Sequence, residues 1–325
     1  MYLKTAIILA WTAASYALLV FWAPGPIVAL PIALSLALAM AGVGFCVQHD
    51  GGHRGYSNHA WINKATAFAM DMLGGSSYVW HFKHNVQHHC YTNIVGIDSD
   101  INFGPLCRMA PQQSRFWPHR FQHLYMWFFY GLVTLRWHWW HDFHSLASGH
   151  IDGLRFPRPR GGALVTLIAG KALFLAVTFA VPMMFHPWWV VLAFYGIVTF
   201  LVGITIAVIF VLAHCVSEAS FSPAGDVESE WAAHQIETTV DFARNSRFLN
   251  WYLGGLNLQV EHHLFPNICH VHYPALAKVV EEVSREFGVR YVAHPTMWDA
   301  VRSHYRMLRE LGRPTAVALE AESAG

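Results

Sequence analysis

The stretch PIVALPIALSLALAMAGVGFCVQHDGGH, residues 26–53, decides the architecture. Positions 26–47 carry no charge, which satisfies the roughly 20 apolar residues that a membrane-spanning helix requires. Beyond them the helix delivers His49 and His53, four apart and therefore on one face. Upstream, residues 5–22 are also uncharged, and only Ala23-Pro24-Gly25-Pro26 separates the two runs. That Pro-Gly break makes them an antiparallel hairpin. A second hairpin follows, residues 163–185 and 188–213 joined by His186-Pro187. Its one charge, Lys171, is expected to snorkel or line a cavity.

Composition points the same way. Of the 325 residues, 54% are apolar and 13% charged, against roughly 25% charged in a soluble globular protein. A formal net charge of +1 gives no electrostatic case for nucleic acid. The 5 cysteines form no C-x-x-C pair and read as reduced, scattered residues. Lys4 leads straight into an apolar run long enough to span, so no cleavable signal peptide is expected.

Of 21 Lys and Arg residues, only Lys171 lies within a hairpin. The positive-inside rule then places the polar bulk and both termini in the cytoplasm, with the chain integral to the inner membrane. The expected fold is all-α and integral to the membrane, a single domain over 1–325. Four transmembrane helices form two hairpins, at about 5–47 and 163–213. A cytoplasmic helical cap (48–162 and 214–314) holds the histidines, and 315–325 is a frayed tail. Aromatic-rich 61–79 and 120–147 read as interfacial helices, and helical patterns return at 274–288 and 295–311.

Three histidine clusters carry the chemistry: His49-Asp-Gly-Gly-His53, His84-Asn-Val-Gln-His88-His89 and Gln259-Val-Glu-His262-His263. The topology brings all three to one face of the membrane. A structural zinc closes with four ligands, so this inventory fits two metals better. On a regular helix His84 and His88 share a face while His89 points away by about 100°, so a consecutive pair can address two ions; His262 and His263 repeat the device. His214, directly after the fourth span, is expected as a further ligand. Gln259 and Asn257 are weaker donors. His234, Asp50, Glu261, Asp241 and Glu237 are candidates for ligation or for hydrogen bonds that orient the imidazoles. Imidazole suits iron, zinc, copper and nickel. Iron pairs activate O2 against unactivated C–H bonds, the only bonds an apolar tail offers.

The order and spacing of these boxes relative to the two hairpins resemble the membrane-bound fatty acid desaturase superfamily. Residues 254–266, GGLNLQVEHHLFP, look like its front-end (linoleoyl-CoA desaturase-like) branch, and residues 80–93, WHFKHNVQHHCYTN, are similar to bacterial members. The resemblance implies a cytoplasmic cap with a di-iron site held by His49, His53, His84, His88, His89, His262 and His263. His214 matches an additional ligand, and Gln259 stands in a ligand's place. It also implies a hydrophobic tunnel for a fatty acyl substrate carried as acyl-CoA, acyl-ACP or acyl-lipid, with O2 as co-substrate and a cis double bond as product. Box two has three residues between its first histidine and its pair, where eukaryotic front-end enzymes often have two. The chain also lacks a His-Pro-Gly-Gly motif. Electrons are therefore expected from an external ferredoxin or cytochrome b5.

The main competing expectation is an acyl hydroxylase or acetylenase on the same di-iron scaffold. A zinc-dependent membrane hydrolase is a different class, distinguished by working without O2. A transporter fits less well, because the histidines sit at span ends rather than at the midplane.

Overall fold

The computed structural model describes residues 1–151, 153–225 and 229–314. The expected tail at 315–325 lies outside them. Among the described residues four helices are long and apolar enough to cross a membrane: Tyr2–Trp22, Pro26–Gly52, Gly162–Met183 and Trp188–His214. Among the described residues the domain is all-α apart from three two-residue strand pairings: Ile94–Val95 with Ser222–Pro223, His150–Ile151 with Leu154–Arg155, and Asp241–Phe242 with Ala293–His294.

Small residues and satisfied hydroxyls join the spans, as expected where lipid leaves little hydrophobic drive between helices. Ser35 of the second span accepts from Trp11 Nε1 at 2.8 Å and meets Ser15 Oγ at 2.9 Å. Ala33, Leu36 and Ala37 pack directly on Val198 and Val202 of the fourth. Ile27, Leu30, Val165, Ile168, Trp188 and Trp189 face outward, the apolar girdle of a lipid-facing surface. The single charge of the third span is paired: Lys171 Nζ lies 2.7 Å from Asp142 Oδ2 and 2.6 Å from the Gly74 carbonyl.

Both short connections lie at one end of the bundle, where His186 Nε2 meets the Val20 carbonyl at 2.7 Å and the Phe21 and Phe185 rings are 5.0 Å apart. The opposite end carries His49, His53 and His214. The helices Gln122–Gly131 and Met297–Leu311 contact the fourth span, and Tyr273–Glu286 contacts the helix Gln259–Leu264. The last helix opens with a reciprocal cap between Thr296 and Asp299. Its buried Met307 and Leu308 join a core shared with the fourth span and Met126. That packing pins the segment after His214 against the bundle.

Candidate metal centre

The second span ends on Gly51 and Gly52, and close approach explains both. A Cβ on Gly51 would strike the Thr66 side chain and sit 2.7 Å from the Ala67 nitrogen; one on Gly52 would enter the Trp80 indole. The bare backbone lets the helix Ala60–Ala67 and Trp80 press onto the His49–His53 turn. The His49 and His53 rings then lie 4.7 Å apart, with the Trp80 ring 5.5 Å from His53.

Box two departs from the regular helix that its spacing predicts. Residues His81–His88 wind as a π-helix, with the His89 amide donating to the His84 carbonyl at 3.0 Å. An i→i+5 turn is wider than an α-turn and occurs mostly at functional sites. Here it swings His89 onto the face of His84, and their Nε2 atoms approach to 3.3 Å.

The third box rides on the helix Gln259–Leu264. Asp241 Oδ1 accepts the Val260 amide at 3.1 Å, a carboxylate at a helix N-terminus. The Tyr291 hydroxyl ties Asp241 Oδ2 at 2.6 Å to Glu261 Oε1 at 3.1 Å. Burial and the adjacent Asp241 raise the Glu261 carboxyl well above the usual carboxylate range, so one proton is held between the two acids. Asp241 and Glu261 thus anchor the helix rather than contact an imidazole. Glu237 likewise accepts from Ser229 at 2.8 Å.

All eight histidines converge. Ligand atoms of His49, His53, His84 and His262 lie within 4.8 Å of one another, as do those of His88, His214 and His263; His89 groups with His262 and His263. His262 thus falls in the first group and His88 and His263 in the second, while His89 groups with both His262 and His263. Gln259 Nε2 donates to His214 Nε2 at 3.0 Å.

These side chains fit a pair of metal ions. Buried His49 Nε2, His53 Nε2, His88 Nε2, His89 Nδ1, His214 Nδ1, His263 Nε2 and Gln259 Oε1 have no hydrogen-bond partner. Each such orphan costs about 1–3 kcal/mol, a total that a domain tolerates only if something else takes the lone pairs. Burial, reinforced by neighbouring imidazoles, holds His53, His84, His89, His262 and His263 well below the ordinary histidine range. They are therefore neutral at physiological pH, the state metal ligation needs.

Sequence reading missed the groups that orient these rings. His88 Nδ1 faces Asp98 Oδ2 at 3.0 Å, which leaves Nε2 as the donor. His263 Nδ1 faces Gln235 Oε1 at 2.8 Å and Thr92 Oγ1 at 3.1 Å, and His262 Nδ1 meets the Tyr273 hydroxyl at 3.2 Å. Such partners fix tautomer and orientation. The one available signal was Asp98-Ser-Asp100 following box two. Other candidates sit apart from the imidazoles. Asp50 turns to His270 Nδ1 at 2.9 Å, whose other nitrogen meets Lys4 Nζ at 2.7 Å. His234 Nε2 engages the Thr92 carbonyl at 2.9 Å. Asn257 holds the Phe242 carbonyl at 3.0 Å, its own Oδ1 unpaired.

A cavity of about 370 Å³ passes His49, His84 and Gln259 between apolar walls that include Phe129, Leu132, Ile206 and Phe210. Its lining includes exposed Arg136, Asn102 and Leu106.

Four spans with eight imidazoles gathered at one end define a membrane metalloprotein with a dinuclear histidine site. The chain belongs to the fatty acid desaturase family, which it matches over residues 24–295. It is 39% identical to the sn-1 linoleoyl-lipid 6-desaturase of Arthrospira platensis, over 98% of this chain and 88% of that one. It is 38% identical to the protein of the same name from Synechocystis, over 96% and 89%. To the acyl-lipid (8-3)-desaturase of Physcomitrium patens it is 36% identical, over 96% of this chain and 66% of the relative. Family and histidine clustering together make it an O2-dependent, di-iron membrane fatty acid desaturase.

Proposed function

We propose that the substrate is an acyl chain esterified in a membrane lipid and that the product carries a new cis double bond towards the carboxyl end. The observation that carries this reading is the cavity, apolar along most of its wall, touching His49, His84 and Gln259 and lined also by exposed Arg136. The similar cyanobacterial proteins are named for action on a lipid-bound linoleoyl chain, and the GGLNLQVEHH run carries the front-end signature. His49, His53, His84 and His262 would hold one iron; His88, His214 and His263 would hold the other, with His89 between them.

When bound, the irons supply O2 activation strong enough to take hydrogen from an unactivated methylene. The remaining work belongs to the protein. Phe129, Leu132, Ile206 and Phe210 exclude water and fix which carbons lie against the site. Asp98, Gln235 and Tyr273 hold the imidazoles in register. In the overall balance the acyl chain loses two hydrogens and O2 becomes two waters. Two electrons and two protons come from outside, the electrons from a separate ferredoxin or cytochrome b5. The metal end and both termini would face the cytoplasm, as the distribution of Lys and Arg requires.

The test is fatty-acid analysis by gas chromatography–mass spectrometry of bacteria co-expressing the chain and a ferredoxin system, with His88→Ala as control. A new unsaturated acid in wild type alone supports the reading, and derivatising the double bond locates it. A hydroxylated acid would instead place the chain among acyl hydroxylases. Iron-loaded, reduced protein that changes no lipid, acyl-CoA or acyl-ACP substrate would overturn it.

A further inference from the structure

Beside the acyl cavity lies a second one of about 170 Å³, lined by Arg136, Trp140, His141, His144, Ser145, Ser148 and His150. The two share Arg136 and His141. The apolar cavity thus adjoins a small chamber of one guanidinium, three imidazoles and two hydroxyls at those two residues. We propose that this chamber seats the phosphate of the group that carries the acyl chain, so that the headgroup sets how far the chain enters the channel. The proposal rests on the desaturase reading and specifies its substrate class.

The donors suit an oxyanion such as phosphate. Arg pairs with phosphate through parallel N–H bonds. Among the described residues no hydrogen bond or ion pair holds the Arg136 guanidinium. His150 spends Nδ1 on the Ser148 carbonyl at 2.9 Å, which leaves Nε2 for a ligand. Among the described residues, Asp142 pairs with Lys171 at 2.7 Å and lies 3.7 Å from His141 Nδ1, and Asp100 pairs with Lys83. The rim adds positive charge. His150 stands in register with Arg155, and Arg158 Nη2 donates to the Ala147 carbonyl at 2.5 Å.

Depth fits as well. Trp139, Trp140 and Phe143, on the helical segment that forms the chamber, are exposed. Such aromatics lie at the level of lipid headgroups, where basic pockets bind lipid phosphates. The chamber therefore sits where a phosphate would lie when its acyl chain runs down towards the histidines.

The test is binding, read by native mass spectrometry on the full-length, iron-loaded protein in detergent. The probes are dioleoylphosphatidylglycerol, dioleoylglycerol and oleoyl-CoA. Wild type should retain the phosphatidylglycerol at least tenfold more tightly than the phosphate-free lipid. Arg136→Gln and His150→Gln should each cut that preference to about twofold, with dioleoylglycerol binding and iron content unchanged. If oleoyl-CoA binds tighter than phosphatidylglycerol, with the same dependence on Arg136, the phosphate belongs to a thioester carrier; the reverse order assigns it to a lipid headgroup. Equal retention of the two lipids by wild type, or an undiminished preference in Arg136→Gln, would overturn the proposal. No turnover is needed, so failure of phosphate recognition and failure of desaturation are separately visible.

Discussion

His84 and His89 bring their Nε2 atoms to 3.3 Å although five positions separate them. An α-helix places i and i+4 on one face; the π-turn His81–His88 adds i+5. One helical segment therefore contributes three imidazoles to the centre: His84 lies with His49, His53 and His262, His88 with His214 and His263, and His89 beside His262 and His263, while Asp100 stands within reach of both His84 and His88.

Inserting one alanine after Val86 would carry His88 and His89 about 100° around the axis relative to His84. The expected result is a folded protein with unchanged helical circular dichroism and less than half the wild-type iron. Full iron content would show that the winding is incidental.

Asp98 is the buried carboxylate on His88 Nδ1. Asp98→Asn keeps the shape and every candidate ligand but weakens the hold on the imidazole tautomer. Partners of this kind are typically worth 10–100-fold in metal affinity or activity. Iron retention during dialysis against a graded chelator series should fall by roughly that range, with thermal stability of the metal-free protein little changed.

Gly52→Ala forces the Trp80 indole aside, and that indole is stacked on His84 at 4.5 Å and 27°. Overpacking of this kind costs about 1–3 kcal/mol. The variant should show both a lower Tm and weaker iron binding. Gly25→Ala, whose new Cβ meets nothing within 4 Å, should change neither.

His304, on the C-terminal helix, is fully buried; its Nε2 lies 2.8 Å from the Tyr130 hydroxyl and its Nδ1 2.5 Å from the Cys215 carbonyl. Burial lowers its pKa to about 4. The unfolded chain takes up this proton near pH 6.5 and the folded one only near 4, so its stabilising effect is whole above 6.5 and is lost as pH falls towards 4. At the lower end the loss is on the order of 3 kcal/mol. Melting curves of wild type and His304→Gln between pH 7.5 and 5 should converge as the pH drops. Parallel curves would show that His304 does not titrate in this window.

Span existence and the three boxes were legible because hydropathy and i, i+4 spacing are properties of contiguous residues. The chain alone determined four apolar helices, which run as Tyr2–Trp22, Pro26–Gly52, Gly162–Met183 and Trp188–His214, and the gathering of His49, His53 and His214 at one end of them. It offered no means of knowing that Asp50 would serve His270 rather than a box histidine, or that Glu261 and Asp241 would lock a helix through Tyr291. Those outcomes depend on residues far apart in sequence and close in space. Only the tertiary structure decided how the imidazoles divide, because the division rests on one π-turn, on two glycines that admit Thr66 and Trp80, and on the Asp98, Gln235 and Tyr273 side chains that aim the rings. Orientation of a ring is a long-range property: it is fixed by whatever packs against it, and no local pattern encodes that.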